Sequence, residues 1–230
     1  MIDIGIIGAM DDEVNNIIAL IENKREEIVG SLKFYTGKLY SKSVAVVKCG
    51  IGKVFASLCA EAMILKYAPK LVVNTGVAGG VGRGVLTLDT VIADKLCQHD
   101  MDTSALGDPK GLVSGINRIY FESDIRAVEI IKKNADIRNI KSHIGTIATG
   151  DRFVSGKADA LKIVNDFGAI ACEMEGCAVA QTAFVNNTPF VVIRAISDNA
   201  DEGASLSYGE FLPKAVKNST MLTLDLIKEY

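Results

Sequence analysis

The chain has 230 residues, enough for one α/β domain with a full core or at most two small ones. Hydrophobic residues make up 49% and charged residues 23%, an ordinary globular mix. The net charge of -3 comes without any basic block, which argues against nucleic acid as a partner, and no stretch approaches the roughly 20 apolar residues that would make the membrane one.

In chain order, Met1-Ile2-Asp3 leads into the short apolar run Ile4–Ala9, which reads as a buried strand. The apolar stretch from Met1 is short, is broken by Asp3 and lacks a positive leader, so it does not read as a signal peptide. Asp12–Ile21 carries Val14, Ile17, Ile18 and Ile21 at helical spacing. Lys33–Leu39 and Ser43–Lys48 read as antiparallel strands joined by a polar turn, and Lys53–Tyr67 as a helix. Leu71–Thr75 is a further buried strand, closed by Gly76, and Thr90–Leu96 another. The segment from Gln98 to Asn117 is the longest irregular stretch, and loops of that length are usually functional or disordered. A surface helix follows at Ile125–Lys133. His143–Ala148, Ala169–Cys172 and Phe190–Ile196 read as strands, and Gly176–Val185 and Lys214–Ile227 as helices. The alternation predicts an α/β fold: a single domain over residues 1–230, with a central, mixed, mostly parallel twisted sheet and helices on both faces. The five cysteines are odd in number and form no CxxC pair, so they read as small buried hydrophobes in a reducing, cytoplasmic setting.

Ligands of open α/β sheets bind beyond the carboxyl ends of the strands. Four unusual clusters fall there: Met10-Asp11-Asp12-Glu13, Gly76-Val77-Ala78-Gly79-Gly80, Glu173-Met174-Glu175-Gly176 and Ser197-Asp198. If those strands are neighbours, one pocket receives Glu13, a glycine-rich wall, Glu175 and Asp198. Each piece alone has a plain structural reading. Glu13 suits a helix N-terminus, Asp198 a turn or cap, and Glu173 with Glu175 a solvated helix start. The glycine pattern is neither GxGxxG nor a GxxxxGK phosphate loop. His99 and His143 lack further ligands at metal spacing, so no metal and no cofactor is expected.

Together the pieces are specific. The chain resembles the 5'-methylthioadenosine/S-adenosylhomocysteine nucleosidases of the nucleoside phosphorylase superfamily. The resemblance is carried by Gly5-Ile6-Ile7-Gly8-Ala9-Met10 with Glu13 and Val14, by Gly50-Ile51-Gly52-Lys53-Val54, and by Asn74 through Gly80. Thr149-Gly150-Asp151-Arg152-Phe153-Val154, Glu173 through Gly176, Val192 through Asp198, and Ser207-Tyr208 with Phe211-Leu212 continue it in order. It implies hydrolysis of 5'-methylthioadenosine and S-adenosylhomocysteine, and of 5'-deoxyadenosine, to adenine and the 5'-substituted ribose, a step of methionine salvage. Glu13 would activate water, and Asp198 would protonate adenine N7. Glu175 would bind the ribose hydroxyls beside Met174, and Arg194 would place Glu13 and Glu175. Phe153 would stack on adenine and the Val154 backbone read its edge. Met10, Ile51 and Tyr208 would line the 5'-alkylthio pocket, with Val77, Ala78, Gly79, Glu173 and Ser197 completing the substrate surface. A homodimer is implied, with Thr103 and Leu106 reaching the partner's pocket. One departure stands out: many relatives have Ser where this chain has Val77, so a hydroxyl is missing.

The chemistry needs such a set. Adenine leaves badly as an anion, so an acid is wanted at N7 while the sugar gains oxocarbenium character and a carboxylate activates water. A purine nucleoside phosphorylase would instead need cations for phosphate, yet Leu71–Gly82 has no basic residue and the first Lys or Arg is Lys24. A futalosine-type nucleosidase is the nearer alternative. A non-catalytic nucleoside-binding domain is less consistent with a complete acid/base set.

Overall fold

The computed structural model describes residues 1–201 and 203–230, without the side chains of residues 205–207; Ser207, part of the resemblance, falls outside the described side chains. Strand β1 (Ile2–Gly8), helix α1 (Asp11–Ile18) and strands β2 (Glu22–Val29), β3 (Leu32–Leu39) and β4 (Lys42–Lys48) come first. Helix α2 (Lys53–Tyr67), strands β5 (Pro69–Gly80) and β6 (Thr90–Gln98), a one-turn helix at Ser104–Leu106 and the short strand β7 (Phe121–Glu122) follow. Then come α3 (Ile125–Ile137), β8 (Ser142–Thr149), α4 (Lys157–Phe167), β9 (Ala171–Glu173), α5 (Gly176–Val185), β10 (Phe190–Asp198) and α6 (Ala204–Glu229).

The strands form one mixed sheet in the order β10-β6-β8-β9-β5-β1-β4-β3-β2. Parallel pairing joins β1 to β4 and β5, β5 to β10, and β8 to β6 and β9. The length of β5 explains a feature the sequence pattern does not suggest. Its first half pairs with β1, its other edge pairs with β10 from Val72 to Gly79, and Gly79 and Gly80 pair with β9. The sheet therefore closes on itself through β5-β10-β6-β8-β9. Register shifts at Ile196/Asp198 and Ala93/Leu96 provide the local bends that closure requires.

Strand periodicity sorts the core into faces. Ile4 and Ile6 of β1, with Leu71 and Val73 of β5 and Val191 and Ile193 of β10, pack with α1, α3 and α6. Ile7, Val72, Val192 and Ile196 pack on the other side with α2 and α5. Helix α4 covers a smaller cluster through Ala160, Ile163 and Phe167. Helices thus flank both faces, as expected.

Several boundaries differ from the sequence reading. The Gly76–Gly80 segment is not a turn after β5 but its continuation. Helix α1 ends at Ile18, and Ile21 reaches the core from the turn that follows. Helix α3 runs on to Ile137, its start capped by Asp124, which accepts from the Ala127 N–H at 2.8 Å. Helix α6 begins at Ala204 and passes through Pro213, where a start at Lys214 is expected because proline removes a backbone donor. Strand β2, with the sequence ENKREEIV, is exposed along nearly its whole length and pairs only with β3. It has no buried face and so no apolar alternation, while its charges suit an edge. Helix α4 buries only a narrow stripe and gives an equally faint signal.

Candidate active site

The site is built where β1, β5, β9 and β10 end. Glu13 lies in the first turn of α1, and its side chain turns back onto the strand ends. One carboxylate oxygen accepts the N–H groups of Ala9 at 2.7 Å and Met10 at 3.0 Å; the other accepts that of Val77 at 3.1 Å. Gly76 makes this possible, because a Cβ there would sit 2.3 Å from Glu13 Oε1. Glu13 is 4% exposed. Burial raises its pKa above the usual carboxylate value, against the opposing pull of Arg194 and the three N–H bonds. At Val77 the backbone makes the bond, so the missing hydroxyl does not touch this contact.

Arg194 shares one face of β10 with Val192 and Ile196 and is fully buried. Its guanidinium forks onto Glu173 through Nε and Nη2, and Nη2 also donates to Asn74 Oδ1 at 2.5 Å. Nη1 donates to the Ile193 carbonyl at 3.3 Å. Asn74 is fixed in turn by donating to the Ile7 carbonyl at 3.0 Å. Glu173 further accepts from the Thr149 hydroxyl and from the N–H groups of Glu175 at 3.1 Å and Gly176 at 2.6 Å. Its carboxylate is thereby saturated from every side, as a buried charge requires.

Glu175 has a different environment. It accepts the Gly52 N–H at 2.8 Å and lies 3.9 Å from Arg194 Nη2. Burial, with the negative charge of Glu173 beside it, raises its pKa to about 7 against the pull of Arg194. Asp198 ends β10, where it accepts the Ala200 N–H and the Ser197 hydroxyl, both at 2.9 Å. Burial raises its pKa too, with those two hydrogen bonds opposing. Gly79 leaves room for it: a Cβ there would meet Asp198 Oδ1 at 3.0 Å.

These groups face a cavity of about 320 Å³. Glu13, Glu173, Glu175 and Asp198 supply its carboxylates; Val77, Ala78, Gly79 and Ser197 line one wall. Met10, Ile51, Phe153, Val154, Met174 and Tyr208 supply the apolar remainder. The Phe153 and Tyr208 rings meet edge to face at 5.8 Å, and the Tyr208 hydroxyl donates to Met10 Sδ at 3.2 Å. Burial raises the Tyr208 pKa to about 12, so it stays a neutral donor.

Of the residues singled out from sequence, Arg194 stands behind the wall as the partner of Glu173, and Thr103 and Leu106 lie away from the cavity of their own chain. Leu106 is 85% exposed, and the Thr103 hydroxyl donates to Asp108 at 2.8 Å. Sequence reasoning missed Ala9, Arg152 and Cys172 as lining residues, and Asn74, Thr149 and Gly52 as the partners of Arg194, Glu173 and Glu175. Alternation along β5 puts Asn74 on the face of Gly76, which pairs with Arg194 of β10, whereas the Gly52 contact, made through backbone, leaves no side-chain signal.

The model of the family described as "Phosphorylase superfamily" matches residues 3–228. The 5'-methylthioadenosine/S-adenosylhomocysteine nucleosidase of Haemophilus influenzae (strain PittEE) is 39% identical over 225 residues, covering 97% of this chain and 98% of that one. The chain belongs to the phosphorylase superfamily, among its 5'-methylthioadenosine/S-adenosylhomocysteine nucleosidases. Among solved structures, the nucleosidase of that name from Neisseria meningitidis, in complex with methylthio-immucillin-A, superposes with a TM-score of 0.95 at 36% identity, over 99% of each chain. A futalosine hydrolase mutant of Helicobacter pylori strain 26695 has a TM-score of 0.95 at 34% identity, over 100% of each chain. The superfamily match takes in every residue that lines the cavity, from Ala9 to Tyr208.

Proposed function

We propose that the chain hydrolyses the N-glycosidic bond of 5'-methylthioadenosine and S-adenosylhomocysteine, with Asp198 as the acid on the base side and Glu13 as the water-activating base on the sugar side. The observation that carries this reading is the placement of the two buried carboxylates along β5. Glu13 packs on Gly76 and Asp198 on Gly79. Both carboxylates line the same cavity, so the scissile bond and an attacking water sit among them, as an inverting hydrolysis requires. A carboxyl with a raised pKa can keep a proton for adenine N7, so that the base leaves neutral. Glu175 accepts ribose hydroxyl hydrogens and strengthens as the sugar gains positive charge. Phe153 stacks on the adenine, the Val154 backbone meets its edge, and Met10, Ile51 and Tyr208 take the 5'-thio substituent.

The Arg194 environment favours water over phosphate as nucleophile. Its guanidinium is occupied by Glu173, Asn74 and the Ile193 carbonyl, and Arg152, which lines the cavity, pairs with Asp159. The whole chain acts as one nucleosidase domain. No helix among the described residues is long and apolar enough to cross a membrane. The five cysteines are buried and free, which supports residence in a reducing cytosol.

We also infer a homodimer. Val54, Phe55, Leu58 and Leu65 leave α2 with an exposed apolar side, and Leu106 stands out from its loop. A second copy covers these residues, with Thr103 and Leu106 reaching the partner's 5' pocket. Leu106→Asp then raises KM for long 5'-thio substrates or weakens the dimer; wild-type KM with an intact dimer contradicts the arrangement. For the activity itself, a panel at fixed pH is scored by free adenine from 5'-methylthioadenosine, S-adenosylhomocysteine, 5'-deoxyadenosine and AMP, and by free base from futalosine. The thioethers are expected to be turned over well and AMP, with its anionic 5' group, poorly. A preference for futalosine would move the chain to the second reading, for which the Helicobacter pylori neighbour is the support.

A further inference from the structure

Outside the carboxylate set, three charged residues close a ring that the chemistry above does not use. Lys53 Nζ donates to Asp100 Oδ1 at 2.6 Å. The other Asp100 oxygen accepts the Asp151 N–H at 2.9 Å, and Asp151 Oδ1 accepts the Lys53 N–H at 2.8 Å. Each member comes from a different segment: Lys53 begins α2, Asp100 follows β6 and Asp151 follows β8. Lys53 also donates to Gln98 at 3.0 Å, and Gln98 to Gln181 of α5 at 2.6 Å. Neither Lys53 nor Asp100 is freely solvated, with side-chain exposures of 19% and 32%. Against its own burial, Asp100 is held below the usual carboxylate pKa by the Lys53 ammonium and the Asp151 N–H.

The neighbours of the ring give it a purpose. Immediately before Lys53, the Gly52 N–H holds Glu175, and Ile51 lines the cavity. Immediately after Asp151 come Arg152, Phe153 and Val154, which line the cavity on the aromatic side. Gly52 has φ 101° and its position is crowded by Asp151, to which a Cβ would come within 3.0 Å, so the two segments are packed backbone against carboxylate. The first two free N–H groups at this helix start are therefore divided between a carboxylate of the cavity, Glu175, and a carboxylate of the ring, Asp151.

We propose that Lys53, Asp100 and Asp151 are positioning residues that lock the Phe153-Val154 segment to the Gly52–Glu175 contact, so that the grip on the base and the grip on the sugar are set at a fixed separation. The proposal rests on the nucleosidase reading for what is gripped, but the ring itself does not. Loss of one member lets the two segments drift apart. Binding of the intact nucleoside, which needs both grips at once, then weakens more than binding of adenine, which needs one.

Two measurements test it, one of them independent of any substrate. In hydrogen exchange, Lys53→Met is expected to speed exchange of the amides of residues 151–154, nearly a hundred positions away in the chain. Unchanged exchange there overturns the ring as a lock, whatever the chain catalyses. In steady-state kinetics, Asp151→Ala is expected to raise KM for 5'-methylthioadenosine roughly tenfold with kcat held within about threefold. Adenine affinity should change by less than KM does. Asp151→Asn, which keeps an oxygen for the Lys53 N–H, should restore most of the loss. The double variant Lys53→Met/Asp151→Ala should lose less than the product of the single losses, since both break one ring. A fall in melting temperature with unchanged KM, or a loss in kcat alone, contradicts the proposal. Absence of adenine release by the unaltered protein counts against the nucleosidase reading alone, and the exchange result still decides the ring.

Discussion

Gly76 and Glu13 are in contact so close that position 76 admits no side chain: a Cβ there would lie 2.3 Å from Glu13 Oε1 and 2.9 Å from its carboxyl carbon. The contact holds the carboxylate against the Val77 N–H. Gly76→Ala must push Glu13 off that bond. The expected outcome is a folded protein, destabilised by about 1–3 kcal/mol from overpacking. The loss of turnover should be much larger than the loss of stability accounts for. Melting temperature and kcat measured together check this; wild-type kcat would mean that Glu13 works from another position.

Asp198→Asn keeps Oδ1 for the Ala200 N–H, and its amide NH2 takes the place of the oxygen that accepts from Ser197, whose hydroxyl then accepts from it and keeps the Ala78 carbonyl as its own acceptor, so the end of β10 should hold its shape. It removes the acidic proton. Turnover should fall by roughly 10² to 10⁴, the usual contribution of a general acid, with the fold intact by circular dichroism. Retention of more than about a third of wild-type turnover would remove Asp198 from the acid role.

How much of this was legible in the sequence depends on where each residue makes its contacts. Unbroken apolar runs locate β1 and β10, and the bounds expected for α2 and α5 are the ones observed. The strand-end clusters do converge on one cavity, because β1 and β10 both flank β5 and β9 pairs with its last residues. Closure of the sheet was not legible, since it depends on β5 serving three neighbours at different points of its length. The pairing of Arg194 with Glu173, where the resemblance implies Glu13 and Glu175, was not legible either. Glu173 is consumed by Arg194 and Glu175 is held at the helix start of α2, and only long-range pairing tells them apart. Asn74 falls inside the expected strand Leu71–Thr75 as its one amide, and only the structure shows that it orients Arg194.

The Arg194–Glu173 pair is buried on both sides, with side-chain exposures of 2% each. Arg194→Met would leave Glu173 charged and without its main partner. The expected cost is about 3–5 kcal/mol in unfolding free energy, seen as a lowered denaturant midpoint. Adding Glu173→Gln should recover part of it, because the uncompensated charge is gone. Equal destabilisation in the single and double variants would show that the pair is not electrostatically linked.

Stability should also depend on pH through Glu175. Its folded pKa of about 7 lies above the ordinary 4.5, so the folded state binds the proton more tightly than the unfolded state. The favourable contribution is complete below about 4.5 and is lost as pH rises through about 7. The ligand-free protein should therefore lose stability across that window, and Glu175→Gln should lose less. Melting curves of both proteins at several pH values give the difference directly; parallel curves would place the Glu175 pKa near its ordinary value.

The most direct test is to follow the fate of the sugar. 5'-Methylthioadenosine is incubated with the protein in phosphate-free buffer made with heavy-oxygen water, and the products are read by mass spectrometry. Hydrolysis predicts free adenine and a 5'-methylthioribose that carries one heavy oxygen. The rate should not change on adding phosphate, and Glu13→Gln should slow it without rescue by phosphate. A sugar phosphate as product, or a reaction that starts only when phosphate is supplied, would contradict the assignment of water as the nucleophile and Glu13 as its base.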